Sequence, residues 1–185
     1  MSAYYTYLIA SLPMLHFAGK PPFSFTHFLG LCRGLIPGEE IGLLSQVEKI
    51  EGLVYKGKGA PTLKRRQEFE VALRNELVRI RATRRHQDMN KYLRVDGFTE
   101  PYISRLAMGA YRNTSILESE RMLDQGRWNM LEEFSCGHYF DFDYLIIYAL
   151  KLLILERWEK INMADKARLL SETLGKGQNK QDGAS

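Results

Sequence analysis

The segment Tyr144–Leu155 reads YLIIYALKLLIL, an apolar stretch whose single charge is Lys151. A transmembrane helix needs about 20 apolar residues, so this stretch is too short to cross a bilayer. Because it is apolar on nearly every side, it predicts a helix buried among other helices. Asp141 or Asp143 can cap its start, and the pattern continues to about Ile161.

Helical signals extend outward from this segment in both directions. Ser115 followed by Glu118 is typical of a capping box and predicts a helix through about Phe134. Upstream, Pro101 predicts a short helix that runs to about Tyr111. Downstream, the sequence predicts a weak helix over 164–174 and then a flexible polar tail over 175–185 (GKGQNKQDGAS).

The first half of the chain also contains helix start signals. Ser24 predicts a helix that runs to about Gly34, and Pro37 fits the first position of the next helix. Thr62 can cap the longest periodic stretch, 63–93, which would be about 45 Å long as one helix. The segment 4–13 alternates poorly and could be either a strand or a short helix.

These patterns together predict an all-α fold with a single domain of long packed helices over residues 1–174. The chain has 185 residues, of which 45% are hydrophobic and 26% charged, which excludes a disordered chain. Cys32 and Cys136 are too few for a disulfide framework, and the apolar N-terminal stretch lacks the features of an export signal. We therefore expect reduced thiols and a cytoplasmic location.

The predicted helix over 63–93 has two apolar stripes on opposite sides, which we expect to need a neighbour on each side. One stripe contains Phe69, Leu73, Leu77 and Ile80, and the other contains Val71, Val78, Ala82, Met89 and Leu93.

The same helix is also basic. Residues 56–94 contain 12 Lys and Arg against 4 Asp and Glu, a net charge of +8. Six cations fall within about a third of the helix circumference, namely Arg66, Arg74, Arg81, Arg84, Arg85 and Lys91. Glu70 and Asp88 lie in the same arc, where they can form i,i+4 pairs, and no aromatic residue interleaves to stack on bases. The pattern favours a solvated face or an acidic protein partner over a nucleic-acid footprint using the helix 64–94.

The predicted helix after Ser115 combines apolar and charged residues on one stripe. The apolar members are Ile116, Leu117, Leu123, Trp128, Leu131 and Phe134. The charged members are Glu120, Asp124 and Arg127, and candidate partners on the next helix are Lys151, Glu156 and Arg157. Charges on a buried stripe are costly unless they are paired. A structural ion-pair network is favoured over an acid/base or metal-binding pair of carboxylates.

One cluster has the residue types of a metal site: Cys136, His138, Asp141 and Asp143. A zinc site requires four closely spaced ligands, and Cys-x-His alone is a weak signal. The two aspartates already fit helix caps, and Gly137 fits the stop of the preceding helix. We therefore predict no metal, no cofactor and no catalytic residues, and we expect a non-enzymatic protein.

Four stretches resemble a bacterial family encoded among the genes of vacuolar/archaeal-type (V-type) ATP synthases. They are Tyr4-Tyr5-x-Tyr7-Leu8-Ile9-Ala10-Ser11-Leu12-Pro13, Glu118-x-Glu120-Arg121-x-Leu123-Asp124-x3-Trp128, Gly137-His138-Tyr139-Phe140-Asp141-x-Asp143, and Tyr148-Ala149-Leu150-Lys151-Leu152-x-Ile154-Leu155-Glu156-Arg157-Trp158. That family is remotely similar to the central-stalk adaptor of V-type ATP synthases.

The resemblance implies a role as well as a fold. The central-stalk adaptor is an all-α protein that connects the central shaft to the membrane rotor ring, although it is much longer than this chain. A similar adaptor would have other ATP synthase subunits as partners. It would lie at the cytoplasmic face of the plasma membrane through the complex, with no membrane contact of its own. We expect stiffness from Trp128, Trp158 and the ion-pair network, and docking through Arg74, Arg81, Arg84 and Arg85.

Overall fold

Helices form all of the regular structure in the residues that the structure describes. The computed structural model describes residues 4–48, 60–94 and 100–178, with side chains up to residue 167. The α-helices are α1 (Tyr4–Ser11), α2 (Phe25–Cys32), α3 (Gly38–Val47), α4 (Pro61–Arg85), α5 (Pro101–Arg112), α6 (Ile116–Phe134) and α7 (Phe142–Gln178). A 3₁₀ turn covers Met89–Lys91. These ranges contain no strand, and the all-α prediction is confirmed.

The N-terminal segment, which the sequence left open, is helical. Leu8 and Ile9 of α1 are buried in the common core. The helix ends shortly before Pro13, whose carbonyl oxygen accepts a hydrogen bond from the Tyr148 hydroxyl at 3.0 Å. This bond ties the start of the chain to α7.

The predicted cap residues lie mostly where the sequence placed them. Ser24 Oγ accepts from the His27 N–H at 3.1 Å, and Asp141 Oδ1 accepts from the Tyr144 N–H at 2.9 Å. Asp141 is therefore the cap of α7. Pro37 precedes α3 as its N-cap residue and is not in its first turn.

The cap of α6 differs from a full capping box in one detail. Ser115 Oγ accepts from the Glu118 N–H at 3.3 Å, as predicted. The Ser115 N–H donates to Asn113 Oδ1 at 3.1 Å instead of to the Glu118 carboxylate. The Asn113 side chain thus takes the place of the Glu118 carboxylate as the acceptor for the Ser115 N–H.

Helix α4 is shorter than predicted. It begins at Pro61, so Thr62 is a buried helical residue and not a cap, and it ends at Arg85. The stop is a Schellman motif, in which the Gln87 N–H donates to the Ala82 carbonyl at 3.1 Å. His86 takes the left-handed conformation there, with φ of +51°. Glycine usually occupies this position, so the sequence carried no stop signal.

Helix α7 is longer than predicted. It is continuous from Phe142 to Gln178 and includes the weak helix expected over 164–174 and the first four residues of the expected tail. Residues 179–185 lie outside the described part of the chain. No proline or glycine interrupts 162–174, so nothing in that sequence breaks the backbone hydrogen bonds.

Helices α4, α5, α6 and α7 form a four-helix arrangement. Helix α4 contacts α5 and α7, and α6 contacts the same two helices. Helices α4 and α6 are antiparallel. The Arg65 guanidinium near the start of α4 lies 4.2 Å from the ring centroid of Phe134 at the end of α6, and Glu70, further along α4, pairs with Arg127, which is earlier in α6. Helices α2 and α3 pack on α7 from outside this group.

The apolar stretch 144–155 lies at the centre of the fold, as predicted. Its fully buried side chains include Leu145, Ile146, Ile147 and Leu152. None of the described helices is both long enough and apolar enough to span a membrane. Beyond residue 159 the described side chains of α7 are mostly exposed, so this helix extends past its neighbours.

The two apolar stripes of α4 are only partly as predicted. Phe69, Leu73 and Ala82 are buried, and the remaining helical members are half-buried between α5 and α7. Met89 and Leu93 lie beyond the end of the helix, and Met89 is exposed.

The stripe of α6 begins later than predicted. Leu123, Trp128, Leu131 and Phe134 are buried, whereas Ile116 is 84% exposed and Leu117 is 43% exposed. These two residues lie in the first turn of α6, directly after the loop that follows the end of α5 at Arg112.

Helices α5 and α6 approach closely at Gly126. A methyl group at this position would overlap Leu106 Cδ2 and lie 3.2 Å from Leu106 Cγ. The absence of a side chain at Gly126 therefore lets the two helices meet.

This contact predicts opposite effects for two glycine substitutions. Gly42 of α3 has nothing within 4 Å of the position a methyl group would take, so Gly42→Ala should stabilise by about 1 kcal/mol through helix propensity. Gly126→Ala gains the same propensity but overpacks the Leu106 contact, which costs about 1–3 kcal/mol. Urea unfolding followed by circular dichroism should therefore rank Gly126→Ala below Gly42→Ala. Equal stability of the two variants would contradict the close approach.

Candidate functional site

A buried carboxylate lies at the junction of three helices. Asp124 of α6 is fully buried. Its Oδ1 accepts from Arg127 Nη1 at 2.8 Å, and its Oδ2 accepts from the indole N–H of Trp158 at 2.8 Å. Arg157 Nη2 forms an ion pair with the same Oδ2. Two cations and an indole donor thus compensate the loss of hydration of this carboxylate.

Arg127 extends this cluster to α4. Its Nε donates to Glu70 Oε1 at 2.8 Å and its Nη2 to Glu70 Oε2 at 3.3 Å, which is a two-pronged contact with one carboxylate. The group Glu70, Arg127, Asp124, Arg157 and Trp158, which we call the brace, therefore joins α4, α6 and α7 through their side chains.

The brace confirms part of the predicted ion-pair network and corrects the rest. Asp124, Arg127 and Arg157 are paired as expected. Glu120 is exposed and takes no part in the brace. Lys151 pairs with Glu132 at 2.6 Å and lies 5.1 Å from the Trp128 ring centroid.

Glu156 contacts a different group from the one predicted. Its Oε1 accepts from the backbone N–H of Phe25 at 2.7 Å, in the first turn of α2. A carboxylate at this position stabilises the helix start and its dipole. Glu156 thus fixes α2 against α7 and is not a partner of the α6 charges.

Sequence reasoning missed Glu70 and Glu132 as partners, and it expected Trp158 to pack between helices without foreseeing its hydrogen bond to Asp124. Glu70 was assigned to i,i+4 pairs within its own helix, yet both of its oxygens accept from Arg127, which is 57 residues away. The unusual combination of charges and apolar residues on α6 signalled that partners were needed. It identified Arg157 on the next helix but not Glu70, which comes from a helix earlier in the chain.

The six predicted docking cations do not share one face. Arg66 is half-buried and lines a cavity beside the brace. Arg74 is exposed, and its Nη1 lies 3.5 Å from the Tyr92 carbonyl oxygen. Lys91 belongs to the 3₁₀ turn, so the left-handed residue His86 separates it from the arc on α4.

Arg81, Arg84 and Arg85 do come together at the end of α4. With Tyr111 of α5 they line an open concavity of about 410 Å³, and none of the described residues in its lining is acidic. Arg84 Nη1 donates to the Tyr111 hydroxyl at 3.0 Å, and its guanidinium lies 5.8 Å from the ring centroid. The expected pairing of Arg84 with Asp88 is absent, because α4 ends first and Asp88 caps the 3₁₀ turn.

The cavity beside the brace has a volume of about 210 Å³. Its walls combine apolar residues such as Leu131 and Ile154 with the charges of Arg127, Arg157 and Lys160. Its described lining carries four cations, Arg66, Arg127, Arg157 and Lys160, and three carboxylates, Glu48, Asp124 and Glu156, so the formal charges around the cavity nearly balance.

The residues of the candidate metal cluster form hydrogen bonds with nearby groups of the protein. His138 Nδ1 lies 2.6 Å from Asp141 Oδ2, and Asp143 Oδ1 accepts from the Thr62 N–H at 3.3 Å. Cys136 is exposed. Across the described ranges, no three His, Cys, Asp or Glu side chains are grouped as metal ligands.

Among the described residues, three groups have clearly raised pKa values: two are buried in the core, and Tyr5 is half-buried against it. Burial raises the pKa of the Cys32 thiol to about 12. Burial also raises the pKa of Tyr148, with a smaller contribution from Tyr144, and that of Tyr5, whose hydroxyl donates to Glu40. None of the three lines the arginine concavity or the cavity beside the brace.

Comparison with known proteins gives one family-level similarity. Residues 101–176 match the model of a family described as a protein of unknown function, DUF2764. The matched region covers α5, α6 and most of α7, which supply Asp124, Arg127, Arg157 and Trp158 of the brace. No curated protein and no solved structure is significantly similar to the chain.

The brace predicts a large difference between two carboxylates on the same helix. Asp124→Asn keeps the shape but removes the charge that compensates Arg127 and Arg157, and breaking a buried pair in this way costs about 3–5 kcal/mol. The matched control, Glu120→Gln, changes an exposed residue and should stay within about 0.5 kcal/mol. Denaturant unfolding followed by tryptophan fluorescence measures both. A small effect of Asp124→Asn would show that the brace does not hold the helices together.

Proposed function

We propose that the protein is a non-catalytic subunit or accessory component of a V-type ATP synthase. In this role it links the central shaft to the membrane rotor ring. It reaches the cytoplasmic face of the plasma membrane through its partners. The four sequence stretches that resemble the ATP-synthase-associated family support the identity of the complex. The brace supports the mechanical role.

The brace carries the proposal because an adaptor that transmits torque must resist deformation. Asp124 binds groups from α6 and α7, and Arg127 continues the contact to α4. Sliding one helix past another would separate a buried charge from its partners, which is far more costly than shifting apolar side chains. Helices held in this way move as one body under load.

An adaptor also needs a surface for its partner. The Arg81, Arg84 and Arg85 cluster supplies positive charge at the end of α4, where the lining of the concavity has no acidic residue. Complementary charge contributes to encounter and register between subunits, and its effect declines as ionic strength rises.

Co-purification from native membranes tests the assignment. The tagged chain should recover ATP synthase subunits after mild detergent extraction, and Arg81→Glu/Arg84→Glu/Arg85→Glu should reduce recovery at least tenfold, because reversed charges repel an acidic partner.

The matched control is Lys20→Glu/Arg33→Glu/Lys64→Glu. It makes the same change in net charge at exposed positions away from the end of α4. This control should retain the ATP synthase subunits. If neither the parent chain nor the control recovered any of them, the proposal would be rejected.

Nucleic-acid binding is the second candidate function. The sequence pattern disfavoured nucleic-acid binding, because no aromatic residue interleaves with the arginines of the long helix. The fold nevertheless brings the Tyr111 ring next to Arg84, which is a combination that nucleic-acid-binding surfaces use for stacking.

Filter binding to duplex and single-stranded nucleic acid separates the two functions. Binding through three arginines would reduce log affinity by about 2–3 for each tenfold increase in salt. An adaptor should show no saturable binding at about 0.15 M salt. Saturable binding that Arg81→Glu/Arg84→Glu/Arg85→Glu abolishes would favour the nucleic-acid function.

A further inference from the structure

The end of α4 and the start of α6 form one composite surface. Ser119 Oγ donates to the Ala110 carbonyl oxygen at 2.8 Å, which fixes the first turn of α6 against the last turn of α5. Tyr111 follows directly and contacts Arg84. We call this surface the arginine end, and its members are Arg81, Arg84, Arg85, Tyr111, Ile116 and Leu117.

Within the described part of the chain, no acidic side chain pairs with the cations of the arginine end. Arg81 and Arg85 are exposed, and their guanidinium groups form no hydrogen bond or ion pair with these residues. The three arginines are spaced i, i+3 and i+4, so they are neighbours on one helix face and repel one another. Arg84 and Arg85 complement the negative end of the helix dipole, whereas Arg81 lies a turn earlier, where this effect is weak. An anion from outside would relieve the repulsion.

The exposed apolar residues indicate what kind of anion fits. Ile116 is 84% exposed and Leu117 is 43% exposed. Both lie in the first turn of α6, shortly after Tyr111 in the chain. A small anion or a phosphate backbone would leave these two side chains in water. A protein segment that carries both carboxylates and an apolar side chain would cover them and pair with the arginines.

We propose that the arginine end binds an acidic, amphipathic segment of a partner protein. Carboxylates of that segment lie against Arg81 and Arg85, and an apolar side chain packs on Ile116 and Leu117. The inference rests on the proposed function only for the identity of the complex. The chemistry of the contact follows from the surface itself.

Zero-length cross-linking tests the chemistry directly. Arg85→Lys keeps the positive charge and supplies an amine, which a carbodiimide joins to a carboxylate in contact with it. The full chain carrying Arg85→Lys is expressed in place of the parent in its native host, and membranes are treated with the carbodiimide. Mass spectrometry should then identify an amide between position 85 and an Asp or Glu of another protein, with an apolar residue within four positions of that carboxylate.

Three controls accompany this variant. The parent chain reports background from its natural lysines, and Arg33→Lys places a new amine at an exposed position just after the end of α2. Adding Ile116→Asp to Arg85→Lys should reduce the yield of the cross-link about tenfold or more, because it removes the apolar contact and adds a repelling carboxylate. Adding Met14→Asp changes an apolar residue that is 82% exposed elsewhere and should leave the yield unchanged.

The outcomes separate this inference from the proposed function. A cross-link to an ATP synthase subunit supports both. A cross-link that meets the same criteria on an unrelated protein supports the inference and rejects the proposed function. Three results overturn the inference: no cross-link at position 85 to another protein, a cross-link only to a second copy of this chain, and protection of position 85 by bound nucleic acid. If the cross-link is missing while the chain still co-purifies with ATP synthase, the inference alone is rejected.

Discussion

The loss of hydration at Asp124 is the constraint on which the arrangement of the bundle depends. A carboxylate enclosed by apolar side chains is stable only if donors reach it from several directions. Those donors come from α6 and α7, and Arg127 carries the contact to α4. The apolar core favours burial in many packings, since hydrophobic contacts have little directional preference. The charges favour the one packing in which every polar partner is in reach.

The same principle explains why this chain has polar contacts at so many helix junctions. Glu156 meets the start of α2, Asp143 meets the start of α4, and the Tyr148 hydroxyl meets the carbonyl of Pro13. Each contact joins α7 to a segment far away in sequence. Helix α7 supplies both the apolar centre of the core and the polar groups that fix the position of its neighbours.

Local signals in the sequence predicted much of the fold. Three helix starts were identified from their cap residues, Ser24, Ser115 and Asp141. A capping side chain accepts a hydrogen bond from a backbone N–H within the next four residues, so the signal is local. The end of α4 was missed because a histidine, and not a glycine, takes the left-handed conformation. Arg157 was predicted as a partner of the α6 charges, whereas Glu70 was not, because helical periodicity describes one helix at a time. Glu120 and Asp124 share a stripe on one helix, yet Glu120 is exposed and Asp124 is fully buried, and the periodicity of α6 alone does not distinguish them.

The position of the brace along α7 has a mechanical consequence. Arg157 and Trp158 lie near the middle of a helix that continues unbroken to Gln178, about 30 Å further at 1.5 Å per residue. This distal half is held at one end, the clamp formed by the brace, and is continuous from there to Gln178. A sideways force at its tip produces a bending moment that is greatest at the clamp, where two arginines share one carboxylate. Its stiffness is therefore set by the continuity of the backbone hydrogen bonds, and its anchorage by a single negative charge.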